Sequence, residues 1–424
     1  SQVDAGEKVF LFFGLRRGGR HYYALDISNP EKPKFQWKIS GGLGGDFDNM
    51  GQSWSQMNLA KVRWNGGTKV VLLFGGGYDP DEDNRTSRAS HSMGNSVYMI
   101  DPESGELLWS ASNSGATTNL ADMTSAIAGD VKTIDFDGDQ ITDYFFVNDL
   151  GGRTWRFDIN AATTNKSDFI AGAGVLFDAN KNNADYQRFY YAPSVSYFAD
   201  DSGDKEKYLT LTMGSGFRAH PLQADTQDSF YIIKDPNIVK APTIYTTLQR
   251  SDLEDIPENN QLTTAVTSLG WKYDLTLGEK ILATPLTSGG DMYFTTFSPS
   301  ISASNQNTCS ADVGSSMAYS VDFKGDNDPN EEAVSPVIKG VPLPSIGIAP
   351  QVIEVRTSEA GQKAFCELNP SHLSCQPDDC ESNPAVECPD ECESTGSVIL
   401  SGTSTLDGGI KRCDLVKKDY WRSL

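Results

Sequence analysis

The chain has 424 residues, with 57 Asp and Glu against 35 Lys and Arg, a formal net charge of -22 and a pI near 4.5. So acidic a surface is repelled by phosphate backbones, which excludes direct nucleic-acid binding by this chain. No run approaches the roughly 18 consecutive apolar residues of a membrane-spanning helix, and an aromatic content of 10% with 39 glycines suits a β-rich fold with many tight turns.

The opening SQVDAGEKVFLFF has no basic segment followed by an apolar stretch, and the first strand is expected almost at once, so the sequence reads as cut from a longer protein. A pattern then recurs: an alternating strand, an Asp, a turn, and a Trp on the returning strand. It appears as HYYALDISNPEKPKFQWKIS (21–40) and NSVYMIDPESGELLWSAS (95–112), with weaker copies in RTWRFDI (153–159), SFYIIKDP (229–236) and MAYSVDFKGD (317–326). In the second copy, Val97 to Ile100 alternate, Pro102 to Gly105 supply turn chemistry, and Leu107 to Trp109 return.

The marker residues Asp26, Asp101, Asp158, Asp235 and Asp322 lie 57 to 87 residues apart, longer than the roughly 40–50 of compact propeller repeats. One hairpin cannot bury its own apolar face, and radial packing of four-stranded sheets leaves only short, protected edges. The expected fold is therefore all-β, a modified β-propeller of about seven blades with long inter-strand insertions, in one domain over 1–424. A pair of β-sandwiches is the competing architecture.

Two glycine-rich stretches, GGLGGDF (41–47) and GGGYD (75–79), lack the lysine and following helix of a phosphate loop and read as turns and strand ends. The stretch DFDGDQITD (135–143) is different. Its carboxylates, Asp135, Asp137, Asp139 and Asp143, fall at positions 1, 3, 5 and 9, with the Ile141 carbonyl at position 7. Alternate residues of such a loop curl round one hard cation, and an all-oxygen set favours Ca²⁺. Position 12 is Phe146 and cannot ligate, so Asp143 is expected to close the site directly, between flanking strands VKTI and YFFV. Gln140 stands where a sharp turn favours glycine, at a cost on the order of 1 kcal/mol.

The acidic stretches YDPDEDN (78–84), ADDSGD (199–204) and DFKGDNDPNEE (322–332) have looser spacing and read as solvated loops; Lys324 to Asp326 form a tripeptide resembling integrin-recognition sequences. Six of seven cysteines fall between Cys366 and Cys413, without paired CxxC spacing and with His372 as the one nearby His. They read as disulfides of an oxidising compartment, in an acidic surface insertion at about 366–396. The odd count leaves Cys309 or one of the six unpaired within the chain. His21, His91, His220 and His372 are dispersed, and neither GxSxG nor HExxH occurs, so nothing in the sequence assembles a catalytic set.

Several segments together resemble the C-terminal domain of the PilC/PilY family, the type IV pilus biogenesis factors and tip-associated adhesins of Gram-negative bacteria. They are FFGLRRGGRHYYALDISNPEKPKFQWKI, LFGGGYD with GNSVYMIDPESGELLWS, DFDGDQITDYFFVNDLGGRTWRFDI, GSGFRAHPL with DSFYIIKD, and the tail DYWRSL. The resemblance implies a modified β-propeller binding calcium through Asp135, Asp137, Asp139, the Ile141 carbonyl and Asp143, with occupancy linked to pilus extension against retraction. It further implies minor pilin partners at the pilus tip or cell surface, roles in twitching motility and adhesion, and an N-terminal adhesive region absent from this sequence. Gln140 and the cysteine-rich insertion depart from the family pattern. Two other functions remain open: a calcium-stapled scaffold, and a quinoprotein-like dehydrogenase, since GNSVYMIDPESGELLW also resembles pyrroloquinoline quinone-type repeats. Such enzymes often carry adjacent cysteines, and this chain has no two together.

Overall fold

A computed structural model of the chain describes residues 8–183, 185–199, 207–256, 269–288, 290–300, 314–322, 337–343, 347–356, 397–401 and 404–405. Among them the ordered elements are strands and short 3-10 turns, without an α-helix.

The strands form six sheets. In chain order they are Phe10–Gly14, His21–Asp26 and Lys34–Ser40 in the first, and Asn58–Trp64, Gly67–Gly75, Ser96–Ile100 and Leu107–Ser112 in the second. The third holds Lys132–Ile134, Tyr144–Asn148, Arg153–Ile159 and Ile170–Asp178, and the fourth Ser194–Ala199, Lys207–Gly214, Ser229–Asp235 and Gly270–Asp274. The fifth is built from Lys280–Ile281, Leu286–Ser288, Asp291–Ser298, Ser315–Asp322 and Val337–Pro342, and the sixth from Ile353–Arg356, Ser397–Ser401 and Ser404–Thr405. This is the expected propeller-like architecture, with one addition. The second, third and fourth sheets each gain a two-residue parallel edge strand, at Thr118–Asn119, Leu248–Gln249 and Glu254–Asp255.

Period-2 alternation with both faces apolar explains how the sheets stack. In Gly67–Gly75, Leu72 and Phe74 pack against Tyr22, Ala24 and Trp37 of the first sheet. Val71 and Leu73 face the other way, towards Phe145, Val147, Trp155 and Phe157 of the third. The YFFV run repeats the arrangement: Phe145 and Val147 turn back to the second sheet, while Tyr144 and Phe146 join Leu209, Leu211 and Tyr231 of the fourth. Phe230, Ile232 and Trp271 in turn meet Met292, Phe294 and Val321 of the fifth. Each fully buried side chain of this size contributes roughly 1.5–3 kcal/mol, and none of it is gained until neighbouring sheets are in place.

The recurring Asp and Trp have local causes. Asp26, Asp101 and Asp235 end equivalent strands, and each carboxylate accepts the backbone N–H two residues on, from Ser28, Glu103 and Asn237. That Asx turn is closed by the residue's own side chain. Trp37 and Trp109 sit opposite Ala24 and Met99, beside a register shift of the same kind in each hairpin. Trp37 also reaches the next sheet, where its indole donates to the Pro102 carbonyl at 3.0 Å. Gly105, at φ 73°, lies beneath that ring, and a Cβ there would come within 2.9 Å of it.

Asp158 is used differently. Fully buried Arg156 pairs with Asp158 at 2.6 Å and with Asp235 of the fourth sheet at 2.7 Å, and stacks 4.3 Å from the Tyr144 ring centre. Tyr245 adds a hydrogen bond to Asp158 at 2.6 Å. It belongs to the segment 236–256, which leaves the fourth sheet, adds Leu248–Gln249 to the edge of the third, then returns to add Glu254–Asp255 to the fourth. Its ring occupies the space a Cβ would need at Gly172 and Gly174.

Removing Arg156 leaves two buried carboxylates without their shared cation. Arg156→Met is expected to lower the unfolding free energy by about 3–5 kcal/mol in a denaturant melt, and adding Asp158→Asn and Asp235→Asn to recover much of that loss. A single variant as stable as wild type would rule out the bridge as a structural tie.

Candidate metal site

The loop 135–143 joins strands Lys132–Ile134 and Tyr144–Asn148 at one end of the third sheet. Its carboxylates fold the loop onto itself. Asp135 accepts the N–H groups of Gly138 and Gln140, both at 2.8 Å, Asp137 that of Asp139 at 3.1 Å, and Asp143 that of Phe136 at 2.8 Å. Gly138 and Gln140 have φ of 78° and 67°, so the turn does require left-handed backbone at Gln140. The rim is fixed by Asp143 N–H to the Ile134 carbonyl, Ile159 N–H to the Asp143 carbonyl, and Thr142 N–H to the Lys61 carbonyl of the neighbouring sheet.

This winding brings one carboxylate oxygen each from Asp135, Asp137 and Asp143 within 4.8 Å of one another. Oxygens bound to one Ca²⁺ at roughly 2.3–2.6 Å lie at most about 5 Å apart, so the trio has the span of a single hard-cation site. Burial first, and then the charges of Asp137, Asp135 and Asp139, push the Asp143 carboxyl above its ordinary pKa. A cation among these groups would remove the repulsion.

One of the four expected carboxylates sits otherwise. The Asp139 carboxylate lies outside the convergent trio, accepting the Ile141 N–H at 2.8 Å and pairing with Arg63 of the second sheet at 2.8 Å. That pair is half-exposed and worth at most about 1 kcal/mol, so it does not lock Asp139 away from an ion. Ile141 is held by the same hydrogen bond and by its buried side chain. Arg63 carries no sequence signal, being one exposed position of an alternating strand.

The stretch 78–84 corrects the expectation of a solvated acidic loop. Asp79 and Glu82 are fully buried. Asp79 caps the turn 80–84 and accepts the N–H groups of Asp81 and Ser92, while Glu82 meets Arg188 at 2.5 Å, His91 at 2.8 Å and the Tyr186 hydroxyl at 3.2 Å. Its partners stand up to 106 residues away, which is why spacing within the stretch could not reveal them. Because the Ala126 N–H donates to His91 Nδ1, the His91 Nε2 carries the hydrogen given to Glu82. Gly75 to Gly77 do form a strand end: a Cβ at Gly77 would come within 2.2 Å of the Gln52 carbonyl. The acidic stretches 200–204 and 323–332, the tripeptide at 324–326, the insertion at 366–396 and all seven cysteines lie outside the described residues. Among the described residues, no helix is long and apolar enough to cross a membrane.

No family model matches the chain. It is 25% identical over 348 residues to the "Type IV pilus biogenesis factor PilY1 homolog" of Xylella fastidiosa, covering 76% of this chain and 22% of that protein. It is 29% identical over 158 residues to the "Type IV pilus biogenesis factor PilY1" of Pseudomonas aeruginosa, covering 37% of this chain and 12% of the relative. The chain thus spans under a quarter of the length of either. The crystal structure of the Pseudomonas aeruginosa PilY1 C-terminal domain superposes with a TM-score of 0.60 at 17% identity, over 94% of this chain and 82% of that one. These relatives are named as biogenesis factors rather than as enzymes.

The crowded carboxylates give the loop a testable sign. In metal-free buffer Asp143→Asn, which keeps the acceptor for Phe136 N–H, is expected to melt at or above wild type. On adding Ca²⁺ the order should reverse, with wild type gaining and the variant's affinity weaker by about tenfold or more, as ligand charge count sets calcium affinity. A variant that gains as much as wild type in a thermal-shift titration would exclude Asp143 as a ligand.

Proposed function

We propose, for a chain whose sequence and fold align it with the C-terminal domain of PilY1, that it is the calcium-binding β-propeller module of a type IV pilus biogenesis factor. The observation that carries this reading is the convergence of Asp135, Asp137 and Asp143 within a chain similar to pilus proteins. In the full site Asp139 and the Ile141 carbonyl complete the ligands, Asp139 exchanging Arg63 for the ion. Bound Ca²⁺ supplies positive charge that neutralises the loop.

The residues around it connect the site to the fold. Asp143 is joined through its carbonyl to Ile159 and precedes Tyr144, on which Arg156 stacks. Occupancy therefore acts on the contact between the third and fourth sheets. On this reading the module works outside the cytoplasm, at the pilus tip or cell surface. There it supports extension against retraction, twitching motility and surface adhesion through contacts with minor pilins.

A calcium-stapled scaffold is the second reading, favoured by the hydrogen bond from Thr142 to Lys61 that ties the loop to the next sheet. Calorimetry and motility separate the two. Asp135→Ala and Asp143→Ala, each folded by circular dichroism, are expected to lose calorimetric Ca²⁺ binding and to reduce twitching when carried in the full-length protein. Intact calcium binding in both variants would overturn the site, and normal piliation and twitching without binding would favour the scaffold.

A further inference from the structure

The end of the sheets opposite the acidic loop carries a second constellation. Asp130 precedes strand Lys132–Ile134 while the loop follows it, so the two lie at opposite ends of a three-residue strand. Segments from the first four sheets meet beside Asp130, around a cavity of about 50 Å³ lined by Arg16, Trp54, Asp130, Tyr190, Tyr191 and Arg218, with Ala128 and Gly129 as backbone floor. At roughly 10–15 Å³ per water on this measure, it has room for one side-chain head group.

The groups around it are incompletely satisfied. Arg17 shows the complete case: it forms two hydrogen bonds of 2.8 Å to Asp83, which also accepts the Tyr78 hydroxyl. Adjacent Arg16 has its guanidinium 5.8 Å from the Trp54 ring centre and no carboxylate within ion-pair distance among the described residues. Its backbone is left-handed at φ 49°, a strain of order 1 kcal/mol or more for a residue other than glycine. Arg218 donates its Nε to the Tyr191 hydroxyl at 3.2 Å, and among the described residues its terminal nitrogens make no hydrogen bond. Tyr190 is only 4% exposed, and its hydroxyl faces Tyr78 and Glu82 rather than the two arginines. Asp130 accepts the Gln56 N–H at 2.6 Å.

We propose that this cavity binds a monocarboxylate, such as an acidic side chain or a chain terminus supplies. Two guanidiniums against one carboxylate leave a single positive charge, which matches a monoanion better than a phosphate dianion. Guanidinium forks pair with planar carboxylates through parallel hydrogen bonds. Aromatic sides from Trp54, Tyr190 and Tyr191 cover the carbon to which the carboxylate is attached. The inference does not depend on the calcium reading, which concerns other residues at the other end of the sheets.

The test uses the chain as it stands, uniformly ¹⁵N-labelled, with the Trp54 indole resonance assigned by Trp54→Phe. Three peptides serve as probes: Ac-Gly-Glu-Gly-NH2, Ac-Gly-Gly-Gly-OH and neutral Ac-Gly-Gln-Gly-NH2. Saturable shifts of the Trp54 indole are expected with at least one carboxylate peptide and not with the Gln peptide. Which one binds tells an acidic side chain from a chain terminus as the source. Arg16→Gln and Arg218→Gln should each weaken binding about tenfold or more, while Lys32→Gln, exposed on the turn before strand Lys34–Ser40 and outside the cavity lining, binds as wild type. Equal shifts with the Gln peptide, no shift with any probe, or wild-type affinity in both arginine variants would overturn the proposal.

Discussion

The middle strands of this protein are apolar on both faces, and that constraint governs the rest. Val71 to Phe74 and Tyr144 to Val147 cannot be covered by solvent on either side, so the second and third sheets are each sandwiched between two others. Stacking settles where polar chemistry can occur. With the faces closed, charged side chains are left to the two ends of the strands, where the turns emerge, or to buried pairs such as Arg156 with Asp158 and Asp235. The acidic loop lies at one end and the arginine-lined cavity at the other.

A net charge of -22 makes the placement of the cations informative. Arg156 serves two buried carboxylates from different sheets, and Arg188 lies between the Tyr186 and Phe217 rings while it pairs with Glu82. These are internal ties, with little solvent to screen them. Arg63 is an external one, spanning from the second sheet to Asp139. The acidic loop is therefore in contact with its neighbour through a half-exposed pair, whereas the bridges beneath it are buried.

Much of the architecture was legible because it has local causes. The Asp-turn-Trp pattern marks equivalent hairpins since an Asx turn needs only its own side chain, and the indole needs only the next sheet. Gln140 was legible for the same reason: the turn's geometry is set within a few residues. In RTWRFDI nothing local distinguishes Arg156, and its role appears only when Asp235 arrives 79 positions later. Glu82 has no local signal because His91 and Arg188 are joined to it by the fold alone. The parallel edge strands carry none either, since two residues have no periodicity. The cavity, assembled from five separated segments, has no sequence signature at all.

The segment 236–256, which lends one short strand to the third sheet and another to the fourth, has a consequence for how the protein opens. Neither sheet can shed its edge without pulling on the other, and Tyr245 is wedged against Gly172 and Gly174 in between. The two sheets are therefore expected to open as one cooperative unit, their amide protons exchanging with solvent together. The acidic loop, carried on the first turn of that unit, would be coupled to the opening of both.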